Sequence, residues 1–281
     1  MAGKLAGRTA LVTGAGRGFG KEIALGLAAE GAAVTVTARS KDQLDATVAE
    51  IEAAGGRGLA VSGDVTNRQD VAQVVAAAEK LFGPLTILVN NAGVTGPFGP
   101  VWVTDPDEWW AAQAVIVRGS LLFMNAAMPG MVKRRQGCVI NVASLGGQWF
   151  TPHLSCYGVA KAGQIRLSEH AAAEAKAHGV SVFAIEPGTV ITDMAENTMA
   201  SADAQRWVPK MVEYLKNLKE TGDPAKGLAR CAQMCVDLAT GRYDALAGRF
   251  LLPKDDFDKL LLEPVPKAGS ATVPRESPRT H

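Results

Sequence analysis

Short, almost continuously apolar runs alternate along this chain with longer segments whose apolar residues recur at helical spacing. The first run, "RTALVT" at residues 8–13, leads through glycines into "KEIALGLAAEGA", where the spacing is helical until Gly31 ends it. The unit recurs as "AAVTVTA" with a helix from about Lys41, "GLAVSGDV" with one from about Arg68, and "LTILVNNAG" with a long one from about Pro106. It continues with "CVINVAS" before a helix that carries Tyr157, "VSVFAIEPG" after it, and a last strand near "LAGRFLL". Such alternation signals a parallel sheet covered on both faces. It predicts an α/β fold, a single Rossmann-type doubly wound domain with a seven-stranded parallel sheet, over residues 1–262. From Glu263 the sequence turns to "EPVPKAGSATVPRESPRTH", too rich in proline and small polar residues to bury much surface, so residues 263–281 are expected to form a disordered tail.

Composition removes several classes of function. A net charge of +1 over 281 residues supplies no field for nucleic acid or an acidic membrane, and the one dense basic run, "KRRQG" from Lys133, fits a solvated helix end. The N-terminus has no apolar stretch of signal-peptide length, and no segment approaches about 18 uninterrupted apolar residues. A cytoplasmic protein is expected, with neither nucleic acid nor membrane as partner. Cys138, Cys156, Cys231 and Cys235 match neither a zinc nor a redox spacing, and the four histidines are scattered, so no catalytic metal is expected.

"TGAGRGFG", Thr13 to Gly20, falls between the first strand and its helix, where a parallel sheet binds a dinucleotide. Glycines 14, 18 and 20 permit a tight turn and close approach of a pyrophosphate, and the helix starting at about Phe19 offers unpaired N–H groups to the anion. A nucleotide-hydrolase loop would need Gly-Lys-Ser/Thr, but Glu22 follows Lys21. An NAD site usually ends its second strand with an acid for the ribose; here that position is Ala38, followed by Arg39. With Arg17 inside the loop, two guanidiniums are available either to clamp a 2′-phosphate or simply to face solvent. The missing acid and the added bases favour NADP(H), with NAD(H) as the alternative.

In "SCYGVAKAG", Tyr157 and Lys161 stand four residues apart, on one face of a helix. A positive charge beside a phenol favours the phenolate and is expected to lower its pKa, suiting Tyr157 to move a proton near neutrality. The same spacing also serves as a plain helical surface pair.

The spacing of the glycines in "TGAGRGFG", the "NNAG" at Asn90 to Gly93 and "YGVAK" together resemble the short-chain dehydrogenase/reductase family, from about Gly7 to Leu252. The resemblance implies that Tyr157 is the general acid/base, that Lys161 binds the nicotinamide ribose and lowers the Tyr157 pKa, and that Ser144, thirteen residues before the tyrosine, steadies the substrate oxygen. It implies a cofactor groove lined by Gly14, Gly16, Arg17, Gly18, Phe19 and Gly20, with Arg39, with Asp64 and Val65 at the adenine, and with Asn91, Ala92 and Gly93. Asn90 would support the sheet, and Pro187, Gly188, Val190 and Thr192 of "EPGTVITDM" would contact the nicotinamide. One position departs from the pattern. Where the family usually has an Asn, three residues before Gly119, this chain has Ile116, which can neither support a helix bend nor hold a water that passes protons to the lysine.

The implied reaction is hydride transfer between a ketone and a secondary alcohol; the alternative is an NADP-binding sensor or scaffold with little catalysis. Residues 193–221 fall where the family places its lid, and Trp207, Met211, Tyr214 and Leu218 form a helical stripe that suits packing, a subunit contact or a substrate wall. With Met194 and Met199 in that segment and Leu145, Trp149, Phe150 and His153 after Ser144, an apolar or aromatic substrate is expected. A homodimer or homotetramer is expected from the family, and the tandem Trp109 and Trp110 suit either such a contact or the core.

Overall fold

In the computed structural model, which describes residues 3–263, each of the seven apolar runs is a strand: β1 Thr9–Thr13, β2 Ala33–Ala38, β3 Arg57–Ser62, β4 Ile87–Asn90, β5 Gly137–Val142, β6 Val180–Ile185 and β7 Phe250–Leu251. All pair in parallel, in the order β3-β2-β1-β4-β5-β6-β7. The chain builds outward from β1 to one edge, returns, and builds from β4 to the other. Neighbouring connections therefore diverge at the C-terminal ends of β1 and β4, opening the crevice in which such sheets bind ligands. The tail expected over 263–281 lies, apart from Glu263, outside the described residues.

The two-residue period of a strand explains why these runs are apolar throughout. Ala10 and Val12 of β1 join Val34, Val36, Ile140 and Phe183 on one face, under α1 (Gly18–Ala29) and α10 (Pro224–Ala239). Leu11 points the other way, with Leu88, Val139 and Val182, under α3 (Arg68–Phe82), α5 (Gly119–Arg134) and α6 (Ser155–Ala175). The remaining sheet helix, α2 (Lys41–Ala53), buries Leu44 and Ile51 into the first face.

The long helix expected from Pro106 starts there, its first turn capped by the Asp105 carboxylate on the N–H groups of Asp107 and Glu108. It is not uniform. α4 (Pro106–Gln113) passes into a π-helical turn, Ala114–Arg118, before α5 resumes, so Ile116, at the position expected to hold an Asn, lies inside that turn. The run Pro106–Arg134 is long enough, and over its most apolar 18 residues apolar enough (mean hydropathy 1.4), to cross a membrane by length and composition; here Ile116, Phe123 and Met131 on it are buried in the fold. Past β6 come three short helices, α7 (Asp193–Ala200), α8 (Ala202–Trp207) and α9 (Pro209–Thr221), and α11 (Phe257–Leu262) follows β7.

A buried polar ladder ties the centre of the sheet to α6. Asn90 Nδ2 donates to Asn141 Oδ1 across the β4–β5 pair (2.8 Å), Asn141 Nδ2 donates to Ser168 Oγ (2.8 Å), and Ser168 donates to the Gln164 carbonyl (2.7 Å). Each of these residues is at most 2% exposed, so removing one rung strands the others away from water. Asn141→Leu is expected to lower stability by about 2–3 kcal/mol in urea denaturation; an unchanged midpoint would contradict a structural role for the ladder.

Candidate active site

The loops at the C-terminal ends of β1 and β4 are laced together. Thr13, the last residue of β1, accepts the N–H groups of Asn91 and Ala92 on its hydroxyl (3.0 and 3.1 Å). Asn91 returns its side-chain amide to the carbonyls of Thr13 and Gly14 (2.9 and 3.2 Å). Gly14 takes a left-handed φ of 64°, and at Gly20 a Cβ would lie 2.3 Å from the Gly14 carbonyl oxygen, so neither position has room for a side chain. Arg17 is the extended residue before α1, whose first N–H groups face this loop.

Several residues expected at the cofactor groove are placed with particular partners. Asp64 Oδ1 accepts both the backbone N–H and the hydroxyl of Thr66 (2.8 and 2.7 Å). These bonds, and behind them the Arg39 charge, hold its carboxyl below the usual range. Arg39 is exposed. Arg17, by contrast, pairs with Asp193 at the start of α7, so one of the two guanidiniums is already engaged by a carboxylate. Thr192 sets its methyl 3.4 Å from where a Gly18 Cβ would be, bringing the segment after β6 against the glycine loop. Gly16 lies against Gln43 of α2. Three side chains turn away into packing: Phe19 into the core, Val65 against Gly119, and Val190 against Gly227, where a Cβ would sit 2.2 Å from a Val190 methyl.

Ser144, Tyr157 and Lys161 do meet. Ser144 ends the extended segment after β5, and its Oγ accepts the Gly146 N–H (3.1 Å). A Cβ at Gly146 would lie 3.3 Å from the Tyr157 ring and 3.5 Å from Ser144 Oγ, so both side chains border this glycine. One helical turn on, Lys161 Nζ sits 5.8 Å from the centre of the Tyr157 ring. The space over Gly93 borders the same ammonium, with nothing nearer than 3.8 Å to a Cβ placed there.

The electrostatics of this cluster correct the expectation from helical spacing. The Tyr157 hydroxyl is pushed up to about 12, chiefly by burial; the Ser144 hydrogen bond works against this and the Glu186 charge adds to it. Lys161 is itself pushed down to about 8 by burial, against the pull of Glu186. Lowering by Lys161 is therefore not what governs this phenol, because a buried ammonium facing the ring does not offset desolvation of the phenolate.

Sequence reasoning misses Glu186, although it is an acid directly after six buried strand residues. Its carboxylate, 7% exposed, accepts the N–H groups of Leu145 and Gly188 (the latter at 3.1 Å), and so fixes the loop behind Ser144 to the segment after β6. Burial raises its pKa, opposed by those two bonds and by Lys161.

Over the tyrosine lies an apolar cap of Phe98, Leu154, Ala204, Val208 and Val212, with Trp207 and Met211 at its edge. His153, held at φ 69°, packs against Trp207 with ring centres 5.3 Å apart and planes tilted by 43°. The expected four-residue stripe is broken: Trp207 ends α8, Pro209 starts a new helix, and Tyr214 faces solvent while Val212 and Leu215 are buried. Of the tandem tryptophans, Trp109 donates to Ser155 Oγ (3.2 Å) and Trp110 is exposed. Phe150 is also exposed, Trp149 half-buried.

A family model described as short chain dehydrogenase matches residues 8–203. A 3-oxoacyl-[acyl-carrier-protein] reductase of Synechocystis sp. is 40% identical over 197 residues, covering 70% of this chain and 79% of the relative. Among solved structures, a single-residue variant of actinorhodin polyketide ketoreductase with NADPH superposes with a TM-score of 0.79 at 28% identity, over 90% of this chain and 97% of that one. NAD+-bound xylitol dehydrogenase superposes with 0.77 at 25% identity, over 89% and 98%.

Because burial raises Tyr157, ultraviolet titration of the cofactor-free protein is expected to show no phenolate forming below about pH 9. A phenolate that ionises below that pH and is lost in Tyr157→Phe would contradict this electrostatic picture.

Proposed function

The chain belongs to the short chain dehydrogenase family, oxidoreductases that act on carbonyl or CH–OH groups with a nicotinamide cofactor, and we propose that it interconverts a ketone and a secondary alcohol using NADP(H). The observation that carries the proposal is the convergence of Ser144, Tyr157 and Lys161, with the Lys161 ammonium beside Gly93.

The residues present suit the cofactor. The glycine loop, with no room for side chains at Gly14 and Gly20 and the start of α1 behind it, suits a pyrophosphate; Asp64 suits the adenine; Asn91, Ala92 and Gly93 wall the groove. Backbone at Pro187, Gly188, Val190 and Thr192 would orient the nicotinamide ring. When bound, the cofactor supplies the hydride for reduction and accepts it in oxidation.

The chain's own residues handle the proton. In reduction Tyr157 gives its hydroxyl proton to the substrate oxygen, and burial keeps that proton in place until it is needed. Ser144, whose Oγ accepts the Gly146 N–H, would redirect its hydrogen from Tyr157 to the same oxygen. Lys161 places a positive charge beside the phenolate that forms, and Glu186 keeps the Ser144 loop in register.

NADP(H) is favoured over NAD(H) by the exposed Arg39 after Ala38, where an acid would otherwise face the ribose. Arg17 joins it if the phosphate draws it from Asp193. The cap of Phe98, Leu154 and Trp207 over Tyr157 favours an apolar or aromatic ketone. Exposed Trp110, Leu121 and Val159 on α4, α5 and α6 support association into a dimer or tetramer.

Replacing Tyr157 by Phe is expected to lower NADPH-dependent ketone reduction, screened on aliphatic, aromatic and polycyclic ketones, by at least about 100-fold; normal turnover would remove Tyr157 from the chemistry. The first proton to leave the Tyr157–Lys161 pair leaves Lys161 near its value of about 8. Reduction, which needs the Lys161 charge beside the phenolate that forms, is expected to fall above about pH 8; a reduction rate that holds or rises through that range would contradict the assignment. Arg39→Asp is expected to cut the NADPH-to-NADH ratio of kcat/KM at least about tenfold, and an unmoved ratio would overturn the cofactor preference.

A further inference from the structure

The Lys161 ammonium is nearly sealed from water, at 4% exposure, and no carboxylate among the described residues lies within ion-pair distance of it. Its hydrogen bonds go instead to two neutral oxygens, the Val142 carbonyl (2.6 Å) and Gln164 Oε1 (3.1 Å). Gln164 is completely buried, which is costly for an amide unless both of its ends are used. Both are. Its Nε2 donates to Ser120 Oγ (2.9 Å), and Ser120 donates to the Ile116 carbonyl (2.7 Å), inside the π-helical turn.

The direction of this chain is fixed by its first member. Lysine only donates, so Oε1 must face it; Nε2 must then donate, so Ser120 accepts and spends its own hydrogen on Ile116 O. The chain ends on a carbonyl that the widened turn presents to a side chain. The Ile116 side chain contributes no polar group; its Cγ1, like Lys161 Nζ, lies just under 4 Å from a Cβ built at Gly93. The polar support that Ile116 cannot give from the π-helical turn is thus given from α6, three residues beyond the lysine.

We propose that Gln164 is a positioning residue for the reaction: it holds the Lys161 ammonium over Tyr157 and anchors it, through Ser120, to the π-helical turn. The proposal rests on the Tyr157–Lys161 chemistry proposed above. An amide and a carbonyl hold a proton without passing it on, so the network keeps Lys161 charged and in place and is not a proton relay. The ionisable groups around the ammonium are Tyr157 on the same helix and Glu186 after β6; the π-helical turn, the Gly93 loop and β5 bring it only Ile116, the glycine and the Val142 carbonyl.

The test is the titration of Lys161 in the cofactor-free protein, followed by NMR on labelled lysine side chains with Lys161→Met to assign the signal. Gln164→Leu removes the acceptor and is expected to lower the Lys161 midpoint by at least about half a unit, while Gln164→Glu raises it. In parallel, kcat for reduction of the best ketone in the panel is expected to fall at least about tenfold in Gln164→Leu, with partial recovery when Ile116→Asn is added. A folded Gln164→Leu protein with an unmoved Lys161 midpoint overturns the proposal. Should that variant not fold, an unmoved midpoint in Gln164→Glu overturns it equally. A shifted midpoint in a protein that reduces no ketone supports Gln164 as the anchor of Lys161 and counts against the reaction instead.

Discussion

The arrangement depends on keeping one ammonium group charged inside the protein. Lys161 is buried deeply enough for desolvation to bring its pKa down towards neutrality, and there is no counter-ion in contact among the described residues. What remains to stabilise its charge is a carbonyl at the end of β5, a buried glutamine on its own helix, and the longer-range field of Glu186. The first needs β5 to end at Val142; the second needs Ser120 and the π-helical turn; the third needs the loop from Leu145 to be tied to Gly188. Secondary structure on three sides is thus committed to one atom.

The same centre is braced from below. Gln164 receives the Ser168 hydroxyl on its carbonyl, and Ser168 is reached from Asn90 through Asn141, so the ladder across the middle strands ends on the residue that holds Lys161. Removing any rung leaves a buried neighbour unpaired, which makes each one costly to lose. The glycine loop is braced similarly, by Thr13 and Asn91 across the point where the strand order turns back. A site whose walls come from different strands keeps its geometry because the strand ends are bonded to one another.

Most of the fold is legible in the sequence because its signals are local and repeated. Apolar runs such as those at Thr9–Thr13 and Val180–Ile185 have few alternatives to a sheet covered on both faces, and Asp105-Pro106 marks a helix start by capping chemistry alone. Ser144, Tyr157 and Lys161 are legible through spacing and resemblance. What spacing does not convey is environment. It places Tyr157 and Lys161 on one helical face, but their proton affinities are set by burial and by Glu186, contributed from the end of another strand. The stripe through Trp207 and Tyr214 fails because Pro209 restarts the helix and rotates its face. Gln164 carries a faint signal, an amide one turn beyond a lysine within a helix, and only the depth of its burial makes that pairing meaningful. Ile116 reads as a loss in the sequence; its backbone is retained as an acceptor in the turn where its side chain offers nothing.

The account stands most directly on transfer of hydride at this site. Incubating the protein with NADPH deuterated at C4 and a series of apolar and aromatic ketones, and analysing the products by mass spectrometry, tests it without any variant. The account predicts an alcohol carrying deuterium on the carbinol carbon. Retention of the label on NADPH with every ketone, in a protein that binds the cofactor, would contradict it.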